Sequence, residues 1–487
     1  MSFYWYDFET TGIDTRLDRP LQFAGLRTND HLEPLDEPDM FRMRLPEDVL
    51  PHPEAVLVTG VLPASDTALP EALFAARIAQ RFAVPGTCTV GFNSMHFDAE
   101  VTRHLFWRNL FDPYAHEWRD GNTRWDLLDA LRCARLLRPG GLQWPDHPDG
   151  TPSFRLEDLT AANGLAHDDA HDALADVQAT LSLARRLRAA QPALFDYLLS
   201  LRSKQVVRRM LDHREMAPVL HVSGRFPAMQ GAASLVLPLP VQPVNNQVAC
   251  WDLRHDPEAL MAQEPEDLAR WLVTPAADLP AGALRPAIKN VHLNRAPVLV
   301  ASSVLKEPGV AERMALDPDR VGRHLRWCRR HHEAFVSRVQ AVIRSMAVMP
   351  AAPEPEAALY EGFVDDGDRA RLDAVRSAVL TVLQDPGSPA DIPACRFADS
   401  RLEPLVARYL ARNVPDRAGD RVVEAYRAYC RRRLGVSGQP SHVPGVLDFS
   451  GFERALARAR ETAGADQMPL LDALAGWGRK RKEALQA

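Results

Sequence analysis

The pattern of predicted secondary structure changes twice along the 487 residues of this chain, and these changes limit it to a multidomain fold. Over residues 1–192, short β-prone runs alternate with amphipathic helical segments, which is typical of an α/β domain. Residues 193–350 carry short Pro-, Val- and Leu-rich strand candidates, and residues 351–487 are helical in pattern almost throughout. We therefore predict three domains with these bounds, the last two joined by a Pro- and Ala-rich linker at 351–355.

The predicted helices that matter for the later comparison lie in the first two domains. The periodicity of apolar residues predicts helices over 98–109, 124–137 and 172–189. It also predicts one long helix over 321–347 that closes the middle domain. Strand candidates at 3–8, 21–27 and 87–92 precede these segments in the first domain.

Composition excludes several classes of protein. Hydrophobic residues make up 46% of the chain and charged residues 25%, which excludes wholesale disorder. The six cysteines form no C-x-x-C pair, which argues against a disulfide framework, a zinc ribbon or a thioredoxin-type site. The N-terminus has no basic region leading into an apolar one, and no run of about 18 apolar residues occurs. We expect a soluble, cytoplasmic protein that does not contact membranes.

Charge is distributed unevenly between the predicted domains. The net charge is −6, but residues 1–192 hold 18 Lys and Arg against 29 Asp and Glu, whereas residues 193–350 hold 20 against 15. Residues 351–487 hold 20 of each sign. Because five of the 58 cations are lysines and the rest are arginines, a single arginine is weak evidence for phosphate binding in this sequence.

The first acidic motif ends the first predicted strand. Asp7 and Glu9 are separated by one residue, so their side chains point to the same face of a strand. Two adjacent carboxylates repel each other unless a cation neutralises them, which makes the pair a candidate Mg²⁺ site. Taken alone, such a pair is more often a solvated strand end.

Two further elements carry acidic residues and a histidine. Asp98 stands where a predicted strand turns into a helix, a position typical of an N-cap. His171 and Asp176 are five positions apart, about 140° on a straight helix, so they cannot share one helical face. We place His171 on the incoming loop and Asp176 on the helix, where both can reach one site. Taken singly, His171 would be a surface residue.

In the order D-x-E, D, H-x₄-D, these residues resemble the DEDDh family of 3′→5′ exonucleases, which has a ribonuclease-H-like fold. The resemblance implies two divalent ions, roughly 3.5–4 Å apart, held across the scissile phosphate by the four acids Asp7, Glu9, Asp98 and Asp176. One ion activates the attacking water and the other stabilises the leaving 3′ oxygen. His171 takes the proton of the water as general base. We expect two Mg²⁺ ions, with Mn²⁺ able to substitute.

Further segments are similar to the bacterial exodeoxyribonuclease I family along most of the chain. They include Phe97–Arg103, Arg124–Asp129, Pro152–Glu157, His221–Gly224 and Leu359–Phe363. The family implies a ribonuclease-H-like exonuclease domain over 1–192, a Src-homology-3-like β-barrel domain over 193–350 and an all-α domain over 351–487. It also implies Mg²⁺-dependent 3′→5′ degradation of single-stranded DNA to 5′-mononucleotides, in DNA repair and recombination.

Carried over residue by residue, the resemblance also implies DNA contacts. Glu9 and Arg155 would hold the terminal nucleotide. Further contacts would fall on Arg103, Tyr114, Trp118, Arg132, Lys204, Gln247 and Lys289. Cations for phosphates and aromatic rings for stacked bases are what a groove along single-stranded DNA requires. Lys204 and Lys289 carry more weight because lysine is rare here, and Gln247 carries the least because its surroundings match the family loosely.

Two other functions compete with this interpretation. One is an RNA-trimming 3′→5′ exoribonuclease, although such relatives are small single-domain chains and this chain has nearly 300 further residues. The choice between DNA and RNA depends on whether the pocket tolerates a 2′-hydroxyl, which the sequence does not show. The other is an inactive exonuclease fold that only binds single-stranded DNA. That scaffold predicts the loss of at least one catalytic residue, and all five are present.

The family further implies a protein partner, the acidic C-terminal tail of single-stranded-DNA-binding protein. A cationic run at the start of the predicted helix over 321–347 and just before it could supply part of its docking site. The run consists of Arg320, Arg323, Arg326, Arg329 and Arg330 with His331 and His332. A solvated helix face in an arginine-rich sequence explains the same run equally well. We expect the protein to be a monomer.

Overall fold

The computed structural model describes residues 1–63, 68–167, 172–241, 246–283, 285–346, 352 and 354–487. The chain forms two compact units. The first comprises Met1–Thr123, His167–Gln178 and Ala351–Ala487, and the second comprises Arg124–Ala166 and Ala179–Pro350. The first unit thus combines parts of the first and third predicted domains. The three sets of domain bounds stay a prediction.

The first unit contains a mixed β-sheet. Its strands are β1 Ser2–Thr10, β2 Pro20–Thr28, β3 Asp39–Arg42 and β4 Thr87–Gly91, in the order β3-β2-β1-β4. β1 pairs antiparallel with β2 and parallel with β4, so it has a neighbour on each side. Side chains alternate between the two faces of a strand, and Tyr4, Tyr6 and Phe8 point into a buried aromatic core. Asp7 and Glu9 therefore lie on the opposite face.

The second unit contains an antiparallel five-stranded sheet. One strand comes before this sheet in the sequence. It is β5 Thr123–Asp126, whose first residue belongs to the first unit and whose other residues belong to the second. The strands of the second sheet are β6 Val219–Val222, β7 Ala233–Pro238, β8 Gln247–Asp252, β9 Ile288–His292 and β10 Val298–Ala301. Their order is β10-β6-β7-β8-β9, and every neighbouring pair is antiparallel. The prediction of a β-rich middle segment is confirmed.

Helices make up most of the remaining described structure. The first ten are α1 Pro53–Thr59, α2 Glu71–Phe82, α3 Asp98–Arg108, α4 Leu127–Leu137, α5 Leu156–Ala162, α6 Ala173–Ala190, α7 Pro192–Ser200, α8 Lys204–Met210, α9 Pro257–Met261 and α10 Pro265–Val273. The others are α11 Val310–Arg313, α12 Pro318–Arg330, α13 His332–Ser345, α14 Asp366–Gln384, α15 Leu402–Asn413, α16 Pro415–Ala418, α17 Asp420–Arg433, α18 Phe449–Thr462 and α19 Met468–Gln486. Short 3₁₀ helices lie at Ala115–Glu117, Arg119–Gly121, Ala228–Gln230, Ala276–Asp278, Ser302–Lys306 and Pro355–Glu361. None of the helices searched within the described ranges is long and apolar enough to cross a membrane.

Two of the predicted helices differ from the structure. The segment predicted as one helix over 124–137 begins as β5, and the Asp126 carboxylate then caps α4 by accepting a hydrogen bond from the Leu128 N–H (2.9 Å). The prediction of one long helix over 321–347 is also wrong. The structure has two separate helices, α12 and α13, and His331 lies between them with φ −107° and ψ 27°. The Asp126 side chain explains the first difference, since an N-cap residue keeps extended backbone angles.

The C-terminal helices share apolar cores with the N-terminal part of the first unit. Leu50 and Val56 are buried among side chains of α17, α18 and α19. Trp107 and Leu110 are buried in the same way against α14 and α15. Full burial of such a side chain stabilises a fold by about 1.5–3 kcal/mol, so these contacts are a substantial part of the unit's stability.

A chain of buried ion pairs runs through the same unit. The carboxylate of Glu71 lies 3.1 Å from Arg108 and 3.4 Å from Arg412, and Arg412 also pairs with Glu356 at 3.1 Å. Burial alone would raise the pKa of Glu71, but Arg412 and Arg108 hold it below its usual value. Glu354 takes part in further ion pairs of the same series. It pairs with Arg433 and with Arg408, and it accepts a hydrogen bond from the hydroxyl of Tyr429.

This burial concerns the predicted linker at 351–355, which stays a prediction. Of that segment the structure describes residues 352, 354 and 355, and Glu354 and the adjoining Glu356 are both buried. An unpaired buried carboxylate costs several kcal/mol, so these residues can be buried only because arginines of the C-terminal helices neutralise them. Glu354 and Glu356 therefore lie in the interior of the unit.

Candidate active site

β1 carries two acidic side chains on the face opposite its aromatic core. Asp7 and Glu9 lie within the strand and pair with Ala24 and Gln22 of β2, and a bulge follows between Glu9 and Thr10. Glu9 is buried, and Asp7 is half-buried. The two-residue period of the strand places both carboxylates on one side, as predicted from the sequence.

Asp176 completes a compact cluster with this pair. Asp7, Glu9 and Asp176 each bring one carboxylate oxygen to within 4.8 Å of the others. Asp176 lies in the first turn of α6, which the Asp172 carboxylate caps by accepting hydrogen bonds from the N–H groups of Leu174 (3.0 Å) and Ala175 (3.2 Å). The cap fixes the start of the helix and hence the place of Asp176.

Asp98 approaches the cluster from the start of α3. It is the first residue of that helix and is buried, and its Oδ1 accepts a hydrogen bond from the backbone N–H of Phe8 at 3.3 Å. Phe8 lies between Asp7 and Glu9 on β1. The N-cap position is occupied by Phe97, so Asp98 does not cap α3 as the simpler interpretation required.

The electrostatics of the cluster favour a bound cation. Burial, followed by the charges of Asp98, Glu9 and Asp176, raises the pKa of Asp7 well above its usual value. Burial and the same kind of repulsion raise the pKa of Glu9 to about 9. The raised pKa values mean that Asp7 and Glu9 do not both ionise at neutral pH without a compensating charge. An all-oxygen set of carboxylate donors suits a hard divalent cation, so the residues present fit the predicted metal site.

Two residues that the sequence did not point to lie at this site. Asp172 accepts a hydrogen bond from Gln22 Nε2 at 3.3 Å, and its charge contributes to the raised pKa values of Asp7 and Glu9. His167 lies with its Nε2 2.6 Å from Asp176 Oδ1. The position of Asp172 just before an Ala-rich helix is a cap signal that could have been used. The predicted base, His171, lies outside the described residues, in the gap at 168–171.

The three predicted DNA contacts of the first unit differ in accessibility. Arg103 is 4% exposed, and its guanidinium donates to both carboxylate oxygens of Glu117 (2.7 and 2.9 Å) and to Glu100 (2.9 Å). It also lies over the ring of Tyr114, at 5.3 Å from the centroid. Trp118, in contrast, is 63% exposed. Arg103 is therefore engaged with carboxylates, and of the three only the Trp118 ring is widely open to solvent.

The other predicted DNA contacts lie in the second unit. Arg132 pairs with Asp129 at 2.6 Å and stacks over Phe154, and Lys289 donates to Ser223 Oγ at 3.2 Å and lies 4.8 Å from the ring centroid of Phe226. Burial, followed by the charge of Arg225, lowers the pKa of Lys289 to about 8.

The remaining contacts of that unit are solvent-accessible to different degrees. Arg155 and Lys204 are exposed, and Lys204 donates a hydrogen bond to the Asn246 side chain. Gln247 begins β8, where it is half-buried opposite His292 of β9.

The turn after β6 brings Arg132 and Lys289 close to one short segment. A Cβ atom added to Gly224 would lie 2.7 Å from Arg132 Nη1, so the absence of a side chain at this position leaves room for the guanidinium. The neighbouring Ser223 accepts the hydrogen bond from Lys289. One turn thus contacts two of the predicted phosphate ligands.

The predicted cationic run lies along α12. All five arginines and His331 are exposed, and His332 is half-buried at the start of α13. Arg329 also donates to the backbone carbonyl of Met216 at 3.0 Å. The exposed helix face is compatible with either of the two interpretations of this run.

Models of three domain families match the chain in sequence order. They are described as Exonuclease (residues 4–184), Exonuclease I SH3-like domain (202–345) and Exonuclease I C-terminal domain (353–481). These matches confirm the predicted fold classes, namely a ribonuclease-H-like α/β domain, a Src-homology-3-like domain and a helical C-terminal domain.

Individual relatives are similar over most of the chain. Exodeoxyribonuclease I of Escherichia coli K12 is 41% identical over 419 residues, which cover 85% of this chain and 86% of that protein. Solved structures of a moderately thermophilic Exonuclease I from Methylocaldum szegediense and of a zinc-bound E. coli ExoI–ssDNA complex have TM-scores of 0.87 and 0.88, with 42% and 35% identity. A crystal structure of SSB/Exonuclease I with the inhibitor CFAM has a TM-score of 0.86 at 35% identity. Each of the three structural matches covers 99% of both chains.

Proposed function

This chain belongs to the exodeoxyribonuclease I family, and from that premise we propose that it degrades single-stranded DNA from the 3′ end to 5′-mononucleotides, in DNA repair and recombination. The observation that carries the proposal is the carboxylate cluster of Asp7, Glu9 and Asp176, with Asp98 against the same strand. The ExoI–ssDNA complex of E. coli supports single-stranded DNA as the substrate. The relatives favour neither an RNA-trimming enzyme nor an inactive scaffold.

We assign the cluster to Mg²⁺, two ions per site, with Mn²⁺ as a substitute. Asp7, Glu9, Asp98 and Asp176 would hold the ions, because the raised pKa values of Asp7 and Glu9 reflect a repulsion that cations relieve. When bound, the two ions supply activation of the attacking water and charge stabilisation at the leaving 3′ oxygen. His171 would accept the proton of that water as general base.

The substrate contacts in this proposal are those that the family resemblance implies. Arg155, with Glu9, would hold the terminal nucleotide, and Lys204, Gln247, Lys289, Arg132, Trp118 and Tyr114 would contact the strand beyond it. Arg103 would act on DNA only through the Tyr114 ring it covers, because its own guanidinium is engaged by Glu117 and Glu100. The domain bounds of this proposal remain 1–192, 193–350 and 351–487.

We also propose a protein partner. The SSB/Exonuclease I structure supports single-stranded-DNA-binding protein as the partner, and its acidic C-terminal tail is the segment that we propose to bind. The exposed arginines of α12 are the candidate dock, since an acidic peptide needs a cationic surface. In this proposal the enzyme acts as a monomer in the cytoplasm.

The test is a digestion series with single-stranded DNA labelled at the 3′ or the 5′ end, duplex DNA and RNA, each with Mg²⁺ or with EDTA. We expect immediate release of the 3′ label as a mononucleotide, gradual shortening of 5′-labelled strands, and no digestion in EDTA. Asp7→Asn is the inactive control. Digestion of RNA at the rate of DNA, or digestion in EDTA, would overturn the assignment.

A further inference from the structure

His167 contacts the carboxylate cluster from outside the four acids assigned to metal. Its Nε2 lies 2.6 Å from Asp176 Oδ1, and its side chain is 5% exposed. A hydrogen bond between an imidazole and a carboxylate is charge-assisted when either group is ionised, and water competes little at a buried position. The contact therefore restrains the Asp176 side chain.

The cap of α6 restrains only the backbone of Asp176, so its carboxylate needs a separate restraint. Asp172 caps the first turn of α6 and so fixes the backbone position. The cap leaves the rotation of the Asp176 carboxyl group free, and Asp176 must still present an oxygen to Asp7 and Glu9 within 4.8 Å. His167 holds Asp176 Oδ1, and because a carboxylate is planar, holding one oxygen restrains the orientation of both.

Carboxylates that bind metal ions are commonly held by hydrogen bonds from residues that do not touch the metal. Loss of such a partner typically lowers metal affinity by about 10–100-fold. We infer that His167 is a positioning residue, which orients the Asp176 carboxylate for divalent-metal binding. This inference rests on the proposed function of the same cluster. It gives His167 a role separate from that of His171, since His167 acts through Asp176 and His171 would act on the water.

The test measures metal binding directly and without DNA. Mn²⁺ is titrated into the full-length wild type, His167→Ala and His167→Gln, with calorimetry and the electron paramagnetic resonance signal of free Mn²⁺ as readouts. We expect about 10–100-fold weaker Mn²⁺ binding in His167→Ala. His167→Gln should recover affinity to within a few-fold of the wild type, because its amide N–H can replace the imidazole donor. His31→Ala, at an exposed histidine in the same unit, should bind as the wild type does.

Exonuclease rates measured against Mg²⁺ concentration give the second readout. A positioning role predicts a higher half-saturating Mg²⁺ concentration in His167→Ala, with most of the rate restored at saturating Mg²⁺. Unchanged Mn²⁺ affinity in a folded His167→Ala protein would overturn the inference, and so would equal loss in the Ala and Gln variants. A wild type that binds Mn²⁺ but does not cut DNA would overturn the proposed function while leaving the binding comparison intact.

Discussion

Arg433 donates its Nε hydrogen to the backbone carbonyl of Asp48, a residue 385 positions earlier in the chain, at 2.8 Å. Both residues are fully buried. The Asp48 carboxylate in turn lies 3.3 Å from Arg19 and accepts a hydrogen bond from the Tyr426 hydroxyl at 3.1 Å. The exonuclease part and the C-terminal helices of the first unit are therefore joined by buried charges as well as by apolar cores.

We predict that Arg433→Met destabilises the protein by about 3–5 kcal/mol, because it leaves Glu354 buried without its main counter-charge. Urea denaturation followed by circular dichroism measures the change. Arg432→Met, at an exposed position on the same helix, is the matched control and should change the free energy of unfolding by less than about 0.5 kcal/mol. Equal stabilities of the two variants would contradict the prediction.

At the metal cluster, Asp7→Asn should abolish exonuclease activity and yet stabilise the metal-free protein. The amide is neutral in both the folded and the unfolded protein, so it removes the cost of placing an acidic group in a buried site near Asp98, Glu9 and Asp176, the cost that the raised pKa of Asp7 reflects. Thermal melting in EDTA should show a higher Tm than the wild type, and the increase in Tm on adding Mg²⁺ should be reduced. The exposed Asp30→Asn should match the wild type in both respects. A lower Tm in EDTA would show that the carboxylates do not repel one another.

DNA binding should weaken as the pH rises through the pKa of Lys289. Burial lowers this pKa to about 8, so the ammonium is charged below that pH and increasingly neutral above it. A neutral amine does not attract phosphate, hence affinity for a labelled oligonucleotide in EDTA should fall between about pH 7 and 9. Fluorescence anisotropy measures it. Lys289→Arg should remove this pH dependence, since arginine stays protonated. Lys306→Arg, at an exposed lysine, should retain it.

Gly224→Ala should displace the Arg132 guanidinium, because the new Cβ would lie 2.7 Å from Nη1 and 2.8 Å from Cζ. The end of a flexible side chain can move, so we expect a folded protein that has lost one phosphate contact. The slope of log K against log[salt] should become shallower by about 0.7. Gly140→Ala, whose nearest neighbouring atom is 4.0 Å away, is the control. An unchanged slope would remove Arg132 from the DNA site.

The acidic ligands could be predicted from the sequence because their geometry is local. The two-residue period of a strand is enough to place Asp7 beside Glu9. The approach of Asp98 and Asp176 to the same strand depends on the fold, and it followed only from the resemblance to a family. The hydrogen bond from His167 to Asp176 also joins side chains near in sequence, but the H-D-D-A-H segment offers two histidines and no local rule selects between them.

Other features of the structure depend on partners distant in sequence. The hydrogen bonds of Arg103 depend on Glu117, which lies 14 residues later in the chain. Glu354 lies in a segment whose composition is typical of an exposed linker, and only Arg433 and Arg408 make its burial possible. The separation of α12 from α13 at His331 has no proline or glycine to signal it.

The hydrogen bond between Arg433 and Asp48 also affects when the protein can fold during its synthesis. A ribosome adds about 5–20 residues per second, so 385 residues separate the two partners by roughly 20 to 80 seconds. For most of that interval the carboxylates of Asp48 and Glu71 have no C-terminal arginines to neutralise them. We expect the N-terminal exonuclease part to complete its folding only after α17 has been synthesised. The DNA-degrading site would then reach its final form only after the helix that carries Arg433 has been synthesised.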